Sequence, residues 1–154
     1  EQSIDQISGA ITYRHRDTEE YLNRRSEMSV SVRKAGGTIS NPTLHIQHVA
    51  KDWLFMTRFD IRGGDTVLTI GPVNYSSVNR DNGSRGIWEW YRHVLDDAEL
   101  QKLNRIVVAD AVTLRCSGEQ YRVDRQLTDH EQGQLKAVLI AHQALLADAA
   151  NGDG

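Results

Sequence analysis

Two short segments with the same helix-start chemistry constrain this chain more than any other feature. In the first, Leu95-Asp96-Asp97-Ala98-Glu99-Leu100, the Asp96 carboxylate is placed to accept a free N–H of a first helical turn. Glu99, three residues on, reaches back to the Asp96 backbone, completing a capping box. Leu95 and Leu100 flank it as a hydrophobic staple, which sets the direction in which the chain enters the helix. Leu100, Leu103, Ile106 and Val107 then recur with a period near 3.6, predicting a helix that runs to about residue 108 or 109. The second segment begins 32 residues later, with Leu127 as staple, Thr128 as cap and Glu131 as the returning carboxylate. Leu135, Val138, Leu139, His142, Leu145 and Leu146 line one side of a final helix of about 18 residues. Each helix follows a strand containing Tyr-Arg, at 91–92 and 121–122, so two strand-then-helix units stand in series. Any two capped amphipathic helices resemble each other this far, and the pattern alone is weak evidence of duplication.

Outside these helices the apolar period is two, the signature of strands with one buried face. Met28, Val30 and Val32 alternate with Ser29, Ser31 and Arg33, and Leu44 and Ile46 continue the pattern beyond the turn signal Asn41-Pro42. The run from Trp53 to Ile61 is apolar on Trp53, Phe55, Phe59 and Ile61 and also on Leu54 and Met56, which predicts a strand covered on both sides. Gly63-Gly64 then returns the chain into residues 66–70 as a hairpin. These four segments read as an antiparallel meander. Residues 87–94 place Trp88, Trp90, Arg92 and Val94 on one face and Glu89, Tyr91 and His93 on the other. Packing beneath the helices is the simplest expectation for Trp88 and Trp90. Val112, Leu114 and Cys116 form one more strand, and Tyr121 and Val123 its return.

The expectation is an α+β fold, a mostly antiparallel sheet of 5–7 strands with the two main helices packed on one face. Residues 1–150 are read as a single domain and residues 151–154 as a disordered polar tail. Residues 1–9 suit a short helix or a loose arm, and Asp17 is placed to cap a short helix ending at Arg24-Arg25. A chain of 154 residues buries roughly two thirds of its extended surface, so neither disulfide nor metal is required for stability. Cys116, the only cysteine, excludes an intrachain disulfide and a cysteine-based metal cluster, and the strand alternation makes it a buried, inert thiol.

For function, charge and motif exclude more than they identify. With 18 Lys and Arg against 21 Asp and Glu, the net charge of -3 offers no general attraction to a polyanion. Acidic neighbours dilute Arg14-His15-Arg16 and Arg24-Arg25, so nucleic acid is not expected as a partner. No run approaches 18 apolar residues, so membrane insertion is not expected. No phosphate loop, nucleophile elbow, dinucleotide fingerprint or zinc motif is present, and no cofactor is expected. His45 and His48, three apart on a strand, point to opposite faces and cannot share a metal. Glu131 is accounted for by its capping box and His142 by the edge of a core.

Residues 71–86, GPVNYSSVNRDNGSRG, are the one long irregular stretch. Loops beyond about 12 to 15 residues are uncommon in compact domains and are usually functional or disordered. Tyr75, Arg80, Asp81, Arg85 and Tyr91 lie in or beside it, and aromatic residues with arginine dominate protein-binding hot spots. The reading is a non-enzymatic binding or accessory domain that presents this Gly/Asn/Ser-rich loop to a protein partner through those five residues. The alternative is a small hydrolase using Asp65, Asp81 or Glu89, carboxylates near the loop.

Overall fold

A computed structural model of the protein describes residues 1–15 and 24–152. The expected α+β architecture is present, with its strands divided between two antiparallel sheets. In chain order the strands are β1 (Gln2–Ile4), β2 (Ile11–Arg14), β3 (Glu27–Ala35), β4 (Thr38–Ile39), β5 (Thr43–Ala50), β6 (Arg58–Gly63), β7 (Thr66–Ile70), β8 (Asn79–Gly83), β9 (Gly86–Val94), β10 (Val112–Ser117) and β11 (Arg122–Gln126). The first sheet has the order β1-β2-β3-β5-β9-β8, with β4 beside β3, and the second the order β11-β10-β6-β7.

The predicted meander is therefore cut in half. β3 pairs with β5 and β6 with β7, but the second neighbour of β5 is β9, not β6. Residues 51–57 leave the first sheet and cross to the second, which explains the apolar run on both parities. Leu54 and Met56 enter the core, Trp53 and Phe55 do not, and only from Arg58 onward is the chain a strand. Gly64, with φ of 56°, makes the tight β6–β7 return.

One continuous apolar cluster joins the sheets. Met28, Val30, Val32, Leu44 and Ile46 of the first meet Phe59, Ile61, Leu68, Ile70, Val112 and Leu114 of the second. The helices α1 (Asp97–Ile106) and α2 (Asp129–Gly152) lace the layers together. α1 follows β9 of the first sheet and packs on β6 and β7 of the second; α2 follows β11 of the second and packs on β3 of the first. The two helices thus cover different sheets. Wherever one sheet moved relative to the other, a helix would lose its apolar footing.

Both predicted caps form. Asp96 accepts from Glu99 N at 2.7 Å and donates its own N–H to Glu99 Oε2 at 2.9 Å. Thr128 Oγ1 accepts from Glu131 N, and Thr128 N donates to Glu131 Oε1, both at 3.1 Å. α1 stops at Ile106, two to three residues short of the expected end. Gln132 of α2 supplies its stop by donating to the carbonyls of Val107 and Ala109 at 2.8 and 2.7 Å, satisfying acceptors that a helix end leaves free.

Four further expectations change. Residues 1–9 form neither helix nor loose arm, since β1 lies within them and pairs with β2. α2 extends through Asn151 and Gly152, so the helix reaches into the predicted tail, while residues 153–154 and the helix capped by Asp17 lie outside the described residues. Trp88 and Trp90 are not under the helices. They sit half-buried on the outward face of the first sheet, opposite Val49 and Gln47. Finally, residues 71–86 are not one irregular loop: a 3-10 turn at Tyr75–Ser77 leads into β8, which pairs with β9 along its length. Asn, Asp and Gly are poor strand formers, and a largely exposed edge strand needs no apolar alternation, so nothing in the composition announces it.

Candidate functional site

The most constructed surface of the molecule grows from the crossing segment 51–57. Leu54 and Met56 are drawn into the core by their side chains, which turns Phe55 between them outward. Three consecutive backbone N–H groups are left facing inward, away from any strand. The Glu89 carboxylate, fully enclosed, meets them all: Oε2 accepts from Leu54 N at 2.8 Å and Phe55 N at 3.0 Å, and Oε1 from Met56 N at 3.0 Å. Arg80 on the neighbouring strand completes the set, its Nε donating to Glu89 Oε1 at 3.2 Å. A buried carboxylate is tolerated when every lone pair has a donor and a cation stands beside it, and both conditions hold here. The backbone so gripped places Phe55 at φ of 55°, the left-handed region that a phenylalanine seldom occupies.

Outside this anchor the aromatic rings form a row. Trp53 stacks on Phe55 with centroids 5.9 Å apart and planes 18° from parallel, and Phe55 meets Tyr75 at 6.1 Å and 33°. The Arg80 guanidinium lies 3.8 Å from the Tyr75 centroid and 5.7 Å from that of Phe55, a cation over two aromatic faces. Its Nη1 donates to the carbonyls of Tyr75 and Val78 at 2.8 and 3.0 Å, fixing the 3-10 turn that carries Tyr75. At the other end the Tyr121 hydroxyl donates to the Trp53 carbonyl at 2.8 Å. Phe55 remains 37% exposed and Tyr75 53%, so the row stays open to solvent.

Of the five residues predicted to meet a partner, the fold unites Tyr75 and Arg80. Asp81 pairs with Trp88 on the opposite face of β8, its carboxylate accepting from Asn82 N at 2.8 Å. Arg85 lies exposed in the β8–β9 turn. Tyr91 faces inward and stacks on Phe59 at 5.2 Å with planes 7° apart, a core contact. The three carboxylates of the hydrolase alternative are likewise separated. Asp65 sits in the β6–β7 turn of the second sheet, Asp81 on the outward face of the first, and Glu89 is sealed beneath the aromatic row. Trp53 and Phe55 escaped sequence reasoning because their alternation imitates a strand. The Lys51-Asp52 break, followed by apolar residues on both parities, was the available signal of a crossing.

The remaining reactive side chains serve the fold. Glu131 does more than cap α2: Arg125 grips it with two nitrogens at 2.7 and 2.8 Å, and Met28 N donates to it at 2.9 Å, tying β11, α2 and β3 together. Burial acts to raise its pKa, and the Arg125 fork with the two backbone N–H groups overcomes this and holds the carboxyl below its ordinary value. Burial pushes the Cys116 thiol up to about 12, which suppresses the thiolate a nucleophile needs. His48 and His142 are buried and held below the usual imidazole range by that burial. Among the described residues no group of three or more His, Cys, Asp or Glu side chains is arranged to hold a metal ion, and no helix is long and apolar enough to cross a membrane.

Comparison with known proteins finds no matching family model, no similar curated protein and no similar solved structure.

Proposed function

We propose that this protein is a non-enzymatic binding domain and that it takes a protein partner on the row formed by Trp53, Phe55 and Tyr75 with Arg80 alongside. The observation carrying this reading is the Glu89 anchor. A fully enclosed carboxylate, three backbone N–H groups and a left-handed phenylalanine are assembled to hold two half-exposed rings in fixed positions. The anchor also seats Leu54 and Met56 in the core, but the rings it positions stay partly in water, so core packing alone does not account for them. It suits association, because side chains already immobile lose little further entropy when a partner arrives. Aromatic residues and arginine on a rigid base are also the types that concentrate binding energy. The ring faces fit a partner segment offering proline, aliphatic or aromatic side chains, which stack without needing buried hydrogen bonds.

A displayed library of random 12-residue peptides tests this, selected on the intact protein and counter-selected on a Phe55→Gly/Tyr75→Ala variant. Recovered peptides should carry apolar or aromatic pairs and bind the parent about tenfold or more tighter than the variant. Peptides that bind both forms equally, or a selection that enriches none, would remove the proposal.

A further inference from the structure

At the ends of the two sheets stand β1 and β8 of the first and β11 and β7 of the second. An open strand edge invites pairing with another chain, and folded proteins blunt such edges with short strands or with charge. β1 has only three residues, β8 carries Arg80 and Asp81, and β11 carries Arg122, Asp124 and Arg125. β7 has neither protection. Thr66-Val67-Leu68-Thr69-Ile70 is a run of five β-branched or aliphatic residues, uncharged, without proline and paired with β6 in unbroken register. These are the features that let an edge accept a further strand.

Register shows which backbone groups the edge offers. Gly63 and Thr66 close the two-residue turn between β6 and β7 as a hydrogen-bonded pair, so bonded pairs recur at Ile61 with Leu68 and at Phe59 with Ile70. The N–H and C=O of Val67 and Thr69 therefore point away from β6, and no group among the described residues bonds to them. The Thr69 hydroxyl is engaged within the sheet, donating to Asp60 at 2.6 Å, and Val67 is 41% exposed. α1 packs on β7 from the inner face: its Ile106 backbone fills the space a Cβ on Gly63 would take, and Gly63 shares the inward parity of Phe59 and Ile61.

We propose that β7 pairs with β7 of a second copy of this chain, antiparallel about a two-fold axis through Leu68, so that the two second sheets run on as one. The offered groups choose this axis. Centred on Leu68, Val67 of each copy stands opposite Thr69 of the other, and the outward N–H and C=O groups of all four residues are answered within the strands. An axis through Val67 or Thr69 would draw Asp65 or Gly71 into the pairing instead. Charge agrees with the same register. On the outward face each row runs from Arg62 through Val67 of one copy to Thr69 and Asp60 of the other, so opposite charges end every row and no like charges stand opposite. A second copy also closes the assembly, because a two-fold contact uses each edge once and leaves none to propagate. The contact is small, and the dimer it makes depends on concentration.

Light scattering and sedimentation of the intact chain across roughly three decades of concentration test this, since mass action sets the balance between one copy and two. The mass should rise toward twice the 17.4 kDa of the chain and stop there. In the concentrated sample the Val67 and Thr69 amides should exchange slowly with solvent, and on dilution they should exchange fast. Val67→Lys sets a charge on the edge and should raise the dissociation constant about tenfold or more, whereas Val67→Thr, which keeps the strand preference, should stay within about threefold of the parent. Ile140→Lys, at an exposed apolar residue of α2, should leave association unchanged. A mass of one chain at every concentration up to about 1 mM, growth past two copies, or a dimer indifferent to Val67→Lys would overturn the pairing. Equal weakening by Ile140→Lys, or amide protection in the dimer at β8 or β11 and not at β7, would overturn the choice of edge.

Discussion

The Glu89 carboxylate accepts the backbone N–H of Phe55 at 3.0 Å while that residue stands at φ of 55°, so one enclosed side chain holds a neighbouring segment in a conformation the segment would not choose alone. Replacement by Gln leaves one acceptor oxygen where there were two and turns an amide N–H₂ toward donors. Glu89→Gln should cost about 2 kcal/mol, the price of leaving buried donors unanswered. Glu89→Ala also leaves the Arg80 charge without its counter-ion and should cost about 3 to 5 kcal/mol. Urea unfolding of both variants measures this. A midpoint for Glu89→Gln equal to that of the parent would mean that the carboxylate is not what holds the crossing segment.

Phe55 itself allows a sharper test of the backbone. At an ordinary position glycine is less stable than alanine, because it has more freedom to lose on folding. At a left-handed position the order reverses, since alanine carries a conformational cost of about 1 kcal/mol that glycine does not. Phe55→Gly should therefore be more stable than Phe55→Ala by about 1 kcal/mol, although both lose the same ring. Thermal or urea unfolding of the pair decides it, and the ordinary order would show that Phe55 does not occupy the left-handed region.

These residues also mark where the sequence was legible. The capping boxes at Asp96 and Thr128 appeared as expected because a cap is local chemistry, satisfied within three residues of chain. The faces of β3, β9 and β10 were legible from alternation, including the opposition of Glu89 to its two tryptophans. Partition of the strands between two sheets was not, because Leu54 and Met56 point inward in a crossing segment as they would in a buried strand. β8 was hidden for the opposite reason: an edge strand of Asn79-Arg80-Asp81-Asn82-Gly83 has little apolar face to betray it. In the candidate site, Tyr75 and Arg80 stood out by residue type, but the anchor joining them to Phe55 depends on contacts between positions more than 30 apart, which no local pattern encodes.

Gly118 is the second support of the crossing segment. A Cβ at this position would run into the carbonyl of Leu54, backbone against backbone, with no flexible side chain able to yield. Gly118 N also donates to Tyr121 O at 2.9 Å, closing the turn that brings the Tyr121 hydroxyl to Trp53. Gly118→Ala should destabilise the protein by about 1 to 3 kcal/mol and shift the amide signals of residues 53–55. Unchanged stability together with unmoved signals would show that the approach of the two backbones is not tight.

The pH dependence of stability should separate two groups that act in opposite directions, Glu27 buried and His45 half-buried. Burial, reinforced by Glu131 and opposed by Arg25 and Arg125, raises the Glu27 pKa to about 7 from 4.5. Between these values the folded protein holds a proton that the unfolded chain has released, so stability contributed at this position falls as pH rises from 4.5 to 7. His45 behaves oppositely. Its pKa of about 4 against 6.5 means that the unfolded chain takes up the proton first, so stability is full above 6.5 and is lost as pH falls toward 4. Glu27→Gln should leave stability at pH 4 nearly unchanged and gain on the order of 2 kcal/mol at pH 8, because the ionised carboxyl no longer has to be buried. His45→Gln should instead flatten the acid side of the profile between pH 6.5 and 4 relative to the parent. Urea midpoints recorded across this range separate the two effects, and a Glu27→Gln advantage that is constant with pH would show that the variant acts through packing and not through the proton.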